Sequence, residues 1–233
     1  MSKKIAQMIE EQLQFWKMQH SDKSESKNKD QKLPVITISR EFGAKGAELA
    51  TRLGKKMGFK VWDKEILDVI SERLDSSPEY LQVLDENTRN ILEDTIFGFM
   101  NHKGTNLNYQ IYLVKAIRAI EDQGNSIIVG RAANFICRNP NSMHIRIVCP
   151  LEERVKRYAA VHEIPIKQSR VLVQQKDLER ENFTLFNFNK EVEQASHYDL
   201  VINSARFSMK EIVELVEEAY SLKGCISKTS ASN

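Results

Sequence analysis

A short segment with two glycines carries the first groups that could bind phosphate. Its residues are, in order, Gly43, Ala44, Lys45, Gly46, Ala47 and Glu48. Residues 35–38 before it favour a β-strand, and the residues after it place Leu49, Leu53 and Met57 on one face of a predicted helix. Glycines let the backbone approach an anion, and the first N–H groups of the helix point at it. The segment therefore predicts a phosphate-binding loop.

The loop departs from the strict Walker pattern G-x-x-x-x-G-K-S/T. Lys45 lies one position before the second glycine instead of directly after it. Ala47 or Glu48 occupies the position of the hydroxyl that would bind magnesium. An ordinary glycine turn between a strand and a helix therefore remains the alternative interpretation.

Two polar side chains follow other predicted strands. Asp63 follows residues 59–62 and is also a good N-cap for the next helix, and Arg131 follows the unbroken apolar run 126–129. The carboxyl ends of parallel strands form the edge where open α/β sheets bind ligands. Arg131 there favours a bidentate grip on a phosphate or carboxylate, the alternative being a structural pair with a nearby acid.

The elements that must position these residues alternate between strand and helix. Residues 144–150 and 198–204 are two further predicted strands, and a final helix runs from Met209 to about Tyr220. Five strands alternating with helices predict an α/β fold, a five-stranded parallel sheet with helices on both faces. The polar stretch 163–182 lacks an apolar stripe, which is typical of a mobile flap or of a solvated surface helix.

The predicted domain organisation has four parts. Residues 1–19 form an amphipathic helix, residues 20–32 a flexible polar linker, residues 33–224 the folded domain with a helical lid at about 151–182, and residues 225–233 a disordered tail. The appended N-terminal helix packs on its own domain or, alternatively, forms a homodimer or partner contact.

Composition limits the classes of partner and compartment. The 233 residues contain 34 Lys and Arg against 32 Asp and Glu, so a net charge of +2 does not predict binding to nucleic acid or to an anionic membrane. Three isolated cysteines indicate neither a disulfide framework nor a zinc site, and favour a cytoplasmic location. No residue is assigned as a metal ligand, since the acidic residues between 79 and 94 suit a solvated face.

In order and spacing, the chain resembles the cytidylate kinase-like family, a branch of the P-loop nucleoside monophosphate kinases, over about residues 33–222. The motifs that carry the resemblance are ITISREFG at 36–43, WDKEI at 62–66, IIVGRAA at 127–133, ER-x-x-R at 153–157, D-x-x-R at 177–180 and YDLVINS at 198–204.

The resemblance implies a three-layer P-loop NTPase fold and transfer of the γ-phosphoryl group of ATP to a nucleoside monophosphate, with CMP or dCMP as the acceptor. The cofactors implied are ATP and Mg²⁺, and the partners are nucleotides.

The resemblance also implies that the loop binds ATP through Arg40, Gly43, Ala44, Lys45, Gly46, Ala47 and Glu48. It implies that the acceptor is bound by Asp63, Lys64, Arg131, Asp177 and Arg180. The residues expected to act on the transferring phosphates are Lys45, Arg131, Arg154 and Arg157.

The chain differs from the family pattern at the loop and at the acceptor site. The family commonly has Gly-Ser-Gly-Gly-Arg-Glu in this loop, where Ala47 here stands at the arginine, and Glu48 either binds magnesium or repels ATP. Ala132 and Val173 stand where cytidylate kinases proper carry an aspartate and an arginine. Three alternatives therefore stay open: a nucleotide-binding or regulatory module with a degenerate loop, a kinase with a non-nucleotide small-molecule acceptor, and a partner-binding protein that uses the N-terminal helix.

Overall fold

The computed structural model describes residues 32–64 and 107–229. The predicted N-terminal helix with its possible dimer contact, and most of the predicted linker, lie outside the described residues. So do the helix predicted after Lys64 and the helices predicted between residues 78 and 106.

Five parallel strands form one sheet. They are β1 (Ile36–Arg40), β2 (Lys60–Trp62), β3 (Ser126–Val129), β4 (Met143–Val148) and β5 (Leu200–Asn203), in the spatial order β2-β3-β1-β4-β5. All four residues of β3 are buried, as expected of an interior strand of a parallel sheet. The predicted five-stranded parallel sheet is confirmed.

Six α-helices connect or flank the strands in the described residues. They are α1 (Gly46–Met57), α2 (Leu107–Gln123), α3 (Ala133–Ile136), α4 (Leu151–His162), α5 (Ile166–Phe188) and α6 (Met209–Thr229). Helix α1 ends at Gly58, whose positive φ of 70° glycine adopts without strain. Helix α5 includes most of the stretch predicted as a flap or surface helix, and its buried Val173 and Phe188 pack it onto the domain. Helix α6 runs beyond its predicted end and into the stretch predicted as a tail.

The two faces of the sheet carry separate apolar cores. On one face, Ile36 and Ile38 of β1 and Ile145 and Ile147 of β4 pack with residues of α1 and α6. On the other face, α2, α3 and the end of α5 cover the β2–β3 side around Trp62 and Ile128. Helices therefore lie on both faces, as predicted. None of the helices in the described ranges is both long and apolar enough to cross a membrane.

The second face becomes polar over β1 and β4. Because successive residues of a strand point to opposite faces, the isoleucines of these strands leave Thr37, Ser39, His144 and Arg146 on this side. Thr37 Oγ1 lies 2.8 Å from His144 Nδ1, and Arg146 Nη1 donates to Ser39 Oγ at 3.2 Å. One half of this face is therefore a core, and the other half is a polar surface.

Candidate active site

A cavity of about 440 Å³ lies at the carboxyl ends of β1, β2 and β3 and extends over the polar half of the sheet face. We call it the strand-end cavity. Seven of the residues predicted to bind nucleotide or acceptor line it, namely Arg40, Ala47, Asp63, Lys64, Arg131, Asp177 and Arg180. Its volume lies in the range of small-molecule sites.

The strand order explains why the cavity forms at this edge. From β1 the chain continues to β2 on one side of the sheet, and from β4 it continues to β5 on the other side. The connections after β1 and β4 therefore diverge, which leaves a crevice at the carboxyl ends of these strands. Residues of β1 and Arg146 of β4 form the bottom of this crevice.

The glycine loop has the geometry that its glycines allow. Gly43 has a φ of 78°, and Lys45, the N-cap of α1, has a φ of 66°. A Cβ atom on Gly46 would lie 2.8 Å from the Cβ and Cγ atoms of Arg40, so this position needs a glycine for the Arg40 side chain to pass. The Arg40 side chain then continues to Gly130. A Cβ atom added to Gly130 would lie only 2.0 Å from Arg40 Nη1.

The charged side chains of the loop lie outside the strand-end cavity. Lys45 and Glu48 are exposed, and the Glu48 carboxylate pairs with Arg52 at 2.8 Å. Gly43, Ala44 and Gly46 form the loop backbone beside the cavity, whereas Arg40 and Ala47 line it. Arg40, at the end of β1, therefore lines the cavity, whereas Lys45 of the loop does not.

The two arginines of α4 bind the backbone of the loop. Arg154 is 6% exposed, and it donates from Nε to the Cys149 carbonyl at 2.7 Å and from Nη1 to the Phe42 carbonyl at 3.1 Å. Arg157 donates from Nη1 to the Gly43 carbonyl at 2.7 Å. Neither side chain lines the cavity. The resemblance implied that these two arginines act on the transferring phosphates. The structure shows them bound to backbone carbonyls instead.

Asp177 connects α5 to the same loop. Its Oδ1 atom accepts the Phe42 N–H at 2.6 Å, and its Oδ2 atom pairs with Arg154. One turn later, Arg180 donates to the Arg40 carbonyl at 3.1 Å and lies 5.2 Å from the centre of the Phe42 ring. Burial lowers the pKa of Arg180 from its usual value, against the effect of Asp177. The D-x-x-R motif therefore fixes the start of the loop while it lines the cavity.

Arg131 lies in a strained turn after β3. Gly130, Arg131 and Ala132 have successive positive φ values of 81°, 51° and 54°. Left-handed non-glycine residues cost energy, and such strain is concentrated at functional sites. The Arg131 guanidinium carbon lies 4.5 Å from the centre of the Phe183 ring and 6.0 Å from that of Tyr109. The turn and the two rings aim this guanidinium along the cavity wall.

The lining residues that were not predicted from the sequence include Asn134, Arg146 and Glu181. The signal for Arg146 was available, because a charged residue within the apolar strand 145–148 is unusual and must find polar surroundings. Burial raises the pKa of the Glu181 carboxyl, with further contributions from Glu193 and Asp177. Asn134 gave no signal in the sequence.

The acids of the site suit magnesium only when nucleotide phosphates complete its coordination. Within residues 32–64 and 107–229, no three His, Cys, Asp or Glu side chains are grouped to bind a metal ion. Mg²⁺ is commonly held by one or two carboxylates with substrate phosphates and water. The exposed Glu48 carboxylate in the first turn of α1 fits that limited requirement.

Comparisons with known proteins identify the family and the fold. Residues 35–206 match the model of the cytidylate kinase-like family. A cytidylate kinase of Thermococcus kodakarensis is 23% identical over 190 residues, which is 79% of this chain and 86% of that protein. One of Pyrococcus horikoshii is 24% identical over 97 residues, 42% of this chain and 50% of that protein. The crystal structure of an uncharacterized protein from Eubacterium ventriosum shares the fold, with a TM-score of 0.62 at 20% identity over 81% of this chain and 98% of that one.

Proposed function

The chain belongs to the cytidylate kinase-like family, and from this we propose that it transfers the γ-phosphoryl group of ATP to a nucleoside monophosphate, with CMP or dCMP as the acceptor. In this reaction an oxygen of the acceptor phosphate bonds to the γ-phosphorus, the bond to the β–γ bridging oxygen breaks, and ADP leaves. The products are ADP and a nucleoside diphosphate.

The observation that carries the proposal is the collection of cations along one cavity. Arg40, Lys64, Arg131 and Arg180 come from four separate segments and all line it. Phosphoryl transfer requires two anionic substrates to be aligned and positive charge to surround the transferring group. Side chains already held in place meet that requirement at little reorganisation cost.

The residues divide between the two substrates. Asp63, Lys64, Arg131 and Arg180 bind the acceptor, with Arg131 and Arg180 on its phosphate. The loop 43–48 and Arg40 bind the phosphates of ATP, and Lys45 adds charge from the exposed side of the loop. Arg154, Arg157 and Asp177 hold the loop backbone in position. Mg²⁺ held by Glu48 would supply neutralising charge on the ATP phosphates.

A second candidate function is nucleotide binding without turnover. It is favoured by the exposure of Lys45 and by the pairing of Glu48 with Arg52 instead of with a group in the cavity. A loop with those contacts retains backbone N–H groups for an anion but has little side-chain charge on the transferring phosphate.

A thermal-shift screen with ATP, CMP, dCMP and UMP, followed by measurement of ADP release, separates the two functions. The kinase proposal predicts stabilisation by ATP and by CMP or dCMP, and ADP release that requires the acceptor. Stabilisation without ADP release would support the second function. No stabilisation by any nucleotide would contradict both.

A further inference from the structure

One face of α6 carries an exposed line of leucines and glutamates. It consists of Glu211, Leu215, Glu218 and Leu222, whose spacing of four, three and four residues places them along one side of the helix. We call this line the α6 stripe. Leu215 is 43% exposed and Leu222 is 53% exposed, so about half of each apolar side chain is open. A helix face of this kind can be covered by the apolar face of a second helix.

The α6 stripe also carries negative charge that the cations of α6 do not neutralise. Glu218 is exposed and has no ion pair in the described part of the chain. Lys210 lies 3.9 Å from Glu214, and that glutamate is not part of the stripe. Lys223 pairs with Asp199 at 2.6 Å. The stripe therefore suits a partner that offers apolar side chains together with positive charge.

The first 19 residues of the chain have the complementary composition. Their sequence predicts an amphipathic helix, whose apolar face consists of Ile5, Ile9, Leu13 and Trp16. The charged residues of the segment are three lysines and two glutamates, namely Lys3, Lys4, Lys17, Glu10 and Glu11. Ile9 and Trp16 are seven residues apart, as are the two leucines of the α6 stripe. Seven residues span about 10 Å in any α-helix, so the two faces match in length.

The chain enters the described structure beside the end of α6. Tyr220 Oη donates to the Pro34 carbonyl at 2.6 Å. Lys32 is two residues before Pro34, so their Cα atoms lie at most about 7 Å apart. The polar residues 20–31 before it can extend to about 40 Å. The α6 stripe is only about 16 Å long, so all of it lies within reach of the N-terminal segment.

A second pair of exposed leucines, Leu178 and Leu185 on α5, lies farther from this entry point. They are 55% and 43% exposed. Arg180 of the same helix donates to the Arg40 carbonyl at the carboxyl end of β1. Lys32 precedes β1 and therefore lies at the amino ends of the strands. The local concentration of a segment tethered at Lys32 is therefore higher at α6 than at α5.

We propose that residues 1–19 dock as a helix on the α6 stripe of their own chain. Ile9 and Trp16 cover the two leucines of the stripe, and the lysines of the segment bring positive charge towards Glu211 and Glu218. The occupant is part of the same chain, so docking needs no second molecule. This inference does not depend on the proposed function.

Hydrogen exchange of the full chain, followed by mass spectrometry, measures the docking. A tethered segment has an effective concentration on the order of millimolar, so an interface with a Kd of about 0.1 mM keeps it docked about nine-tenths of the time. The backbone amides of residues 5–16 should then exchange roughly tenfold more slowly in the wild type than in the double variant Leu215→Glu, Leu222→Glu. An undocked helix of this length is marginal in water, so the variant leaves these amides unprotected. Both leucines are half exposed, so the variant is expected to fold, which a thermal melt checks.

The double variant Leu178→Glu, Leu185→Glu is the matched control. It changes two leucines of the same spacing and similar exposure on α5. Exchange of residues 5–16 in this control should equal that of the wild type. Because docking within one chain does not depend on protein concentration, exchange should also be unchanged after a roughly hundredfold dilution.

The outcomes decide both the docking and its occupant. Fast exchange of residues 5–16 in the wild type, or protection that the folded α6 variant retains, overturns the proposal. Protection that the α5 variant loses would assign the docking to α5 and overturns it as well. Protection that falls on dilution, or a dimer in sedimentation that only the α6 variant dissociates, would make a second copy of the chain the occupant and would also overturn it.

Discussion

The arginines under the glycine loop and the arginines of the strand-end cavity differ in what already binds them. Arg154 and Arg157 donate to the carbonyls of Phe42 and Gly43, and Arg154 also pairs with Asp177. Arg146, by contrast, donates to Ser39 Oγ and lies against the Tyr198 ring at the cavity. Arg131 also lines the cavity and lies against the Phe183 ring.

The difference teaches that burial alone does not identify a substrate-binding cation. Arg154 and Arg146 are each 6% exposed, yet one is saturated by backbone and carboxylate groups and the other has no ion pair in the described chain. A saturated guanidinium stabilises the fold, whereas an unsaturated one at a cavity is available to a ligand. Substitutions in the two regions should therefore affect different properties.

The largest effect is expected from Arg154→Met. The variant leaves Asp177 and the Phe42 carbonyl without their partner, and removal of one member of a buried ion pair costs about 3–5 kcal/mol of unfolding free energy. Urea unfolding measures it. Arg157→Met is the matched control, because that side chain is half-buried and loses one hydrogen bond, at a cost of about 1 kcal/mol. Equal stability of the two variants would contradict the claim that the ion pair of Arg154 with Asp177 stabilises the fold.

Arg131→Ala should have the opposite profile. Loss of a charge-assisted contact to the acceptor phosphate should weaken CMP by roughly 10–100-fold, since such contacts are worth about 1.5–3 kcal/mol. The free energy of unfolding should change by less than about 1 kcal/mol, because the residue lies in a turn at the cavity and is only half-buried. Calorimetric titration and urea unfolding measure the two effects.

Arg206→Ala, at an exposed arginine outside the cavity lining, is the control. Unchanged CMP affinity in the Arg131 variant would exclude it from the site.

Lys45→Gly tests the loop itself with a smaller expected effect. Glycine suits the φ of 66° at this N-cap, so the variant removes the amine without adding backbone strain. ATP affinity should fall by about three- to tenfold, with CMP affinity unchanged, because the exposed amine acts on ATP through screened charge. A loss of CMP affinity equal to that of ATP would place the lysine at the acceptor instead.

The smallest effect concerns His144, which shares a strand face with Arg146. Burial lowers the pKa of His144 below its usual value, and Lys223 lowers it further. Asp199 and Glu121 act in the opposite direction. The unfolded chain then binds the proton more readily, so stability is lost as the pH falls below about 6.5. The wild type should lose up to about 1 kcal/mol more than His144→Gln between pH 7.5 and 5.5. Parallel pH profiles of the two proteins would contradict this.

The sequence was sufficient for the five strands and for the sheet edge at which Asp63 and Arg131 both lie. Runs such as 126–129 contain only strand-favouring residues, and the parallel arrangement brings the ends of the strands together. The bonds of Arg154 to Phe42 were not predictable, because they depend on how α4 packs against a loop that is 112 residues away in the chain. The place of Arg146 depends on the register that sets it opposite Ser39.

The most direct test of the central claim is a crystal structure of the protein with CMP bound. The account predicts the CMP phosphate within hydrogen-bond distance of the Arg131 guanidinium, inside the strand-end cavity. CMP bound elsewhere, with the cavity free of nucleotide at saturating concentration, would contradict it.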